Sequence, residues 1–267
     1  MFDAAALPSH QRVKGRALAR LEAGRLRDLR QEGSAKVMLP RVFGRAPEVV
    51  FLNTAGGITG GDRLDYALEV ASGDAVGTTQ TAERLYRSHG PAGQVTTTLT
   101  LGPGAKLAWL PQELILFEGG RLERRLEVEM AEDAELILLE TLVLGRAAMG
   151  ERLSDLALHD WREVRRGGRP AMVEAVRIGP EDLASHSPAG LNGAVAVATL
   201  SCIAADAEDR LGRVRAALPS DVRAAASAWD GRLSVRFMAP QAYPLRRAVA
   251  RVAQVLTGAA LPRVWQI

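Results

Sequence analysis

The sequence predicts a mainly β protein, and three observations carry that prediction. Short runs of alternating apolar and polar residues recur between residues 48 and 178. Turn residues such as Gly73-Asp74, Gly102-Pro103-Gly104 and Gly119-Gly120 separate them. β-Branched residues, which pack well on a pleated surface and lose freedom in a helix, concentrate in the runs, as in Val95-Thr96-Thr97-Thr98-Leu99-Thr100-Leu101.

Taken in order, residues 16–31 are rich in Ala, Leu, Arg and Glu. These favour helix, but so weak a preference yields to tertiary pairing, so helix and strand both stay open there. Strands are predicted at residues 49–52, 64–70, 95–101, 122–130, 136–144 and 171–178. Their regular spacing suggests a stacked-strand body, β-helical or sandwich-like, and periodicity alone does not choose between them. The last quarter changes character. An apolar strand-like run at 194–204 precedes Leu211, Val214 and Leu218 at helical spacing, stopped by Pro219. Asp230-Gly231 suits a two-residue hairpin turn, and Leu245, Val249, Val252 and Leu256 line one face of a helix that Gly258 can cap. The division is thus a β-rich body over 1–193 and a strand-helix-hairpin-helix portion over 194–267, packed as one continuous domain.

The densest local signal is Asn53-Thr54-Ala55-Gly56-Gly57-Ile58-Thr59-Gly60-Gly61-Asp62. A phosphate cradle would need a Lys with Ser or Thr after the last glycine, and then a helix. Asp62 and Arg63 follow instead, and a strand pattern begins. Gly56, Gly57, Gly60 and Gly61 therefore read as two tight corners between strands.

Composition excludes several function classes. A net charge of +3 on 267 residues, with Lys14, Lys36 and Lys106 the only lysines, lacks the basic stripe of a nucleic-acid binder. A single cysteine, Cys202, excludes an internal disulfide and every Cys-cluster zinc site, which suits the cytosol. His10, His89, His159 and His186 are scattered, with no i, i+4 pair. The first 30 residues lack a signal-peptide core, and no run reaches membrane-spanning length.

Acidic residues in apolar surroundings are more informative. Glu140 lies inside Leu136-Ile137-Leu138-Leu139-Glu140-Thr141-Leu142-Val143-Leu144, and Glu174 lies between Val173 and Ala175. A buried carboxylate needs a partner or stays protonated. A salt bridge to one of the many arginines is the simplest account; a pair of carboxylates serving glycoside hydrolysis is another. The apolar run Leu107-Ala108-Trp109-Leu110-Pro111-Gln112-Glu113-Leu114-Ile115-Leu116-Phe117 suits a core strand pair or a partner-facing surface.

Taken together, residues 53–62, 78–88, 107–120, 139–151 with Leu144-Gly145-Arg146-Ala147-Ala148-Met149-Gly150-Glu151, 231–237, and Leu261-Pro262-Arg263-Val264-Trp265 resemble the urease accessory protein family UreD, also called UreH. The resemblance implies strands stacked in a β-helical manner and no catalysis by the chain itself. It implies a scaffold that binds apo-urease, a helical accessory protein (UreF) and a nickel-carrying GTPase (UreG), and helps deliver nickel without binding a cofactor tightly. Nickel in transit needs sites weak enough for exit, which carboxylates supply better than Cys or His. Asp62, Glu140 and Glu174 are accordingly the candidates for an interior path. Trp109, Leu114, Phe117, Leu245, Val249 and Val252 are the candidates for partner contact.

Overall fold

The structure is a computed structural model that describes residues 12–266; His10 lies outside them. In chain order the strands are β1 (Lys14–Glu22), β2 (Arg25–Gly33), β3 (Ala35–Met38), β4 (Glu48–Asn53), β5 (Arg63–Ser72), β6 (Asp74–Gln80), β7 (Glu83–Leu85), β8 (Gly93–Leu101) and β9 (Lys106–Leu110). They continue with β10 (Leu114–Leu116), β11 (Gly120–Met130), β12 (Glu135–Leu144), β13 (Leu156–Arg166) and β14 (Arg169–Ile178). The short helix α1 (Pro180–Ala184), β15 (Ala196–Ile203), α2 (Leu211–Ala217), β16 (Arg223–Trp229), β17 (Arg232–Ala239) and α3 (Ala242–Thr257) complete the chain. Strand accounts for 52% of the residues and helix for 13%, so the mainly β class holds.

Two sheets share these strands. One runs β14-β13-β11-β8-β5-β1-β2, and the other runs β16-β17-β15-β12-β9-β6-β4-β3, with β10 and β7 joined at β12. From β4 to β13 the main path crosses repeatedly from one sheet to the other. Each return therefore lays a strand parallel to the previous one in its sheet, as β5, β8, β11 and β13 do in the first and β4, β6, β9 and β12 in the second.

Residues 16–31, left open by propensity, form the β1-β2 hairpin. Gly15, Ala17, Ala19 and Leu21 point inward at every second position, and β1 pairs in parallel with β5. That period-two burial overrides the helical preference of the same residues.

β12 explains why the segment around Glu140 is apolar throughout. Strand residues alternate faces; Leu136, Leu138, Leu142 and Leu144 join the core between the sheets, while Ile137, Leu139 and Val143 join a second core beneath the helices. Glu140 takes the phase of the first row, so its side chain points between the sheets. The second core is closed by α3, whose Leu245, Val249, Val252 and Leu256 are buried against β15 and β17. Gly258 ends that helix in the left-handed conformation, at φ 64°.

Candidate functional site

Where the two sheets meet near β12, one layer of the core is ionic. On β13 the inward row reads Leu156, Leu158, Asp160, Arg162, Val164, and on β11 Arg124 sits between the buried Leu122 and Leu126. Inward positions that would normally be apolar thus carry charge on neighbouring strands. Arg124 and Asp160 are register partners, as are Arg162 and Glu174. On the facing sheet Glu140, Thr199 and Arg236 occupy one row across β12, β15 and β17.

The contacts follow this register. Arg124 grips Asp160 with Nε to Oδ1 at 3.0 Å and Nη2 to Oδ2 at 2.6 Å, and the same Nη2 reaches across to Glu140 Oε2 at 2.8 Å. Arg162 Nε donates to Asp160 Oδ2 at 3.1 Å, and its Nη1 lies 3.2 Å from Glu174 Oε2. Glu174 also receives Arg236 Nη2 at 2.5 Å from the opposite sheet, with Arg232 at 3.7 Å.

The three carboxylates are not equivalent. Burial pushes the Asp160 carboxyl upward, but the guanidinium groups of Arg124 and Arg162 outweigh it and bring the group down to about 2. Burial raises Glu140, and the more weakly held carboxyl is only partly compensated by Arg124 and Arg162 while the Asp160 charge adds to the rise. Glu140 has a single guanidinium contact; Asp160 has two arginines.

Cavities adjoin this layer. A void of about 70 Å³ is lined by Thr79, Glu83, Thr97, Gln112, Arg124 and Glu140 among apolar neighbours. A larger cleft of about 350 Å³, open to solvent along α1 and the loop after it, is lined at its base by Glu140, Arg162 and Arg236. Glu140 therefore stands at both. Glu83, partly buried at the end of the smaller void, has only long contacts from the Asn53 amide and the Arg84 N–H, both at 3.4 Å; burial lifts its carboxyl to about 7.

Of the sequence candidates for an interior path, Glu140 and Glu174 lie in the same layer, joined through Arg124, Asp160 and Arg162. Asp62 is elsewhere. Its Oδ1 accepts the Val13 N–H and its Oδ2 the Thr59 N–H, both at 2.8 Å, so it holds a loop backbone with both oxygens occupied. The glycine corners hold the same region. Gly57 sits under the Tyr86 ring, and a Cβ on Gly60 would lie 1.8 Å from Ser88 Oγ. Among the described residues no group of three or more His, Cys, Asp or Glu is arranged to hold a metal ion.

The partner-contact candidates require correction. Trp109 and Leu114 belong to the core between the sheets, and Leu245, Val249 and Val252 to the core under the helices. Phe117 is 8% exposed, edge-on to Tyr86 and covered by the Arg146 guanidinium. Apolar area already removed from water inside the chain is not offered to a partner. The exposed large apolar side chains are others, among them Phe43, Met149, Tyr243 and Tyr86.

Sequence reasoning missed Arg124, Asp160, Arg162 and Glu83. The first three carry a readable signal, a charged residue in the buried phase of an alternating strand. Glu83 carries none, because β7 spans only three residues.

The comparisons with known proteins decide the family. The model of the UreD urease accessory protein family matches residues 12–266. The chain belongs to the UreD family of urease accessory proteins. It is 72% identical over 267 residues, covering both chains completely, to the urease accessory protein UreD of Jannaschia sp. (strain CCS1). It is 54% identical over 263 residues, 96% of each chain, to that of Cereibacter sphaeroides (strain ATCC 17025 / ATH 2.4.3). It is 47% identical to that of Paracoccus denitrificans (strain Pd 1222), over 270 residues that cover 100% of this chain and 97% of the relative. A UreD protein is an accessory factor and not an enzyme, which sets aside the reading of Glu140 and Glu174 as glycosidase carboxylates. Their geometry agrees, since arginines occupy the space between them.

Proposed function

We propose that this chain is a scaffold of urease maturation that binds apo-urease together with a UreF-like accessory protein and a UreG-like GTPase, and helps deliver nickel to the urease active site. The observation that carries the proposal is the family match over residues 12–266, with curated relatives of the same length and the same accessory name. GTP hydrolysis and the chemistry of the dinuclear centre then belong to the partners, and this chain contributes surfaces and an interior.

The interior suits a cargo that must leave again. Nickel prefers nitrogen and sulfur ligands, and a Cys/His cage would retain it. Single carboxylates beside small cavities hold it loosely, and Glu140, bridged by Arg124, and Glu83 are the two that face the same void. Glu174, held by Arg162 and Arg236, lies one step further along the layer. A cytoplasmic location accompanies this role; among the described residues no helix is long and apolar enough to cross a membrane.

The test is reconstitution from purified components. The chain is mixed with apo-urease and the UreF-like and UreG-like proteins, and the mixture is resolved by size-exclusion chromatography with light scattering. A complex containing this chain and apo-urease, and loss of urease activation when it is omitted, is the expected result. Full activation by the other components alone, or no association with apo-urease in any combination, would overturn the proposal.

A further inference from the structure

The ionic layer contains one asymmetry that the scaffold role does not require. Arg124 holds Asp160 with two nitrogens on two oxygens, a bidentate fork, but touches Glu140 through Nη2 alone. Asp160 is itself fixed by Arg162. The guanidinium can therefore release Glu140 and stay paired with Asp160, but Glu140, which has no second arginine, must then take another cation as its partner.

The position of this loose contact is the second observation. Glu140 lines both the void of about 70 Å³ and the cavity of about 350 Å³, and Arg124 lines the first. Arg124 and Asp160 also border a hollow of about 550 Å³ that reaches His159 and Trp161 on the outer face of the first sheet. That hollow gives the guanidinium somewhere to go. Its side chain keeps 16% of its surface exposed, while Asp160 keeps none.

We propose that Arg124 is a gate between the smaller void and the solvent-open cleft beside α1, closed when it bridges Glu140 and Asp160 and open when it rests on Asp160 alone, with Asp160 acting as the positioning residue that keeps the guanidinium paired in the open state. The inference rests on the reading of the interior as a nickel path. A divalent cation entering the smaller void repels the guanidinium and competes with it for Glu140 Oε2. Arg124 then falls back on Asp160, and the carboxylate becomes a transient ligand. When the cation leaves, the guanidinium returns. Passage therefore needs no carboxylate left bare in the low-dielectric interior at any stage.

The gate is tested in the full chain without nickel, so that its failure is distinct from failure of the nickel reading. Thr97 lines the smaller void and is 8% exposed, and Thr97→Cys is nearly isosteric. The native Cys202 is fully buried and burial lifts its thiol to about 11, so it stays silent to a small cationic methanethiosulfonate. The rate of labelling at residue 97 reads access to the void. Glu140→Gln, which removes the charge that holds the closed state, is expected to raise that rate at least tenfold. Arg124→Lys, which cannot fork onto Asp160 and bridge at once, is expected to raise it as well. Asp160→Asn removes the resting place and is expected to leave the rate at or below that of the parent. Thermal melting and near-UV circular dichroism confirm that each variant is folded. Equal labelling rates in the parent, Glu140→Gln and Arg124→Lys would overturn the proposal. So would Asp160→Asn labelling as fast as Glu140→Gln, because general loosening of the layer would then account for both.

Discussion

Arg162 and Glu174 stand directly opposite one another on β13 and β14, and their side chains meet at 3.2 Å inside the sandwich. Glu174 also receives Arg236 from the facing sheet, so one carboxylate ties three strands together. Removing one partner of a buried pair leaves an uncompensated charge. Glu174→Ala is expected to cost about 3–5 kcal/mol in urea unfolding. Arg236→Ala, whose side chain is 63% exposed, is expected to cost no more than about 1 kcal/mol. Equal effects of the two would show that burial does not set the energetics of the layer.

Two carboxyls give stability opposite dependences on pH. Asp160, held down to about 2 by its arginines, binds fewer protons folded than unfolded between about 2 and its ordinary value of 3.8. Its contribution is present above that range and is lost as pH falls through it. Glu83, lifted from 4.5 to about 7, binds more protons folded than unfolded in that window, so stability declines as pH rises from 4.5 to 7. Glu83→Gln is expected to flatten that decline and to stabilise the chain at pH 8 by roughly 1–3 kcal/mol. Urea midpoints across pH 4–8 check this; an unchanged slope in the variant would refute it.

The glycine corners separate a steric requirement from a conformational one. A Cβ on Gly60 would lie 1.8 Å from Ser88 Oγ and 2.4 Å from the Pro91 carbonyl oxygen, so Gly60→Ala must displace backbone. A cost of about 2–3 kcal/mol is expected, unrelieved by Ser88→Ala. Gly56 has φ +80° and open space around it, so Gly56→Ala is expected to cost only about 1 kcal/mol. Thermal melts of the three variants measure the difference.

The C-terminal residues are latched by Arg246. Its Nη1 reaches Gln112 Oε1 at 2.6 Å and Glu113 Oε2 at 2.7 Å, its Nη2 reaches the Trp265 carbonyl at 3.2 Å, and the guanidinium lies over the Trp265 ring. Gln112 in turn donates to the Val264 carbonyl and lines the smaller void. Arg246→Ala is expected to cost about 2 kcal/mol and to accelerate amide exchange at residues 261–266, with α3 still protected. Unchanged exchange there would show that Trp265, whose Nε1 donates to the Leu110 carbonyl at 3.0 Å, holds the segment alone.

Much of this was legible in the sequence. Alternation located β5, β8, β11 and β14, the apolar run 136–144 located β12, the Asp230-Gly231 turn located the β16-β17 hairpin, and the apolar stripe located α3. The β1-β2 hairpin was not, because its composition favours helix and only the parallel pairing with β5 decides otherwise. The unusual character of Glu140 showed in its apolar surroundings, and its salt bridge to an arginine was among the readings available. Which arginine was not, since Arg124 lies 16 residues away on the opposite sheet and the pairing exists only through packing. Trp109 and Leu114 looked equally suited to a surface or a core, and the α3 stripe looked like a partner contact, as composition does not distinguish a face covered by the chain itself from one covered by a partner.

The most direct test of the account is the nickel content of urease matured with Glu140→Ala and Glu174→Ala chains, measured beside assembly of the complex. We expect complexes of normal composition with urease that is depleted of nickel for folded Glu140 variants, and a lesser effect at Glu174. Wild-type nickel content together with wild-type assembly in both variants would contradict a path through the ionic layer.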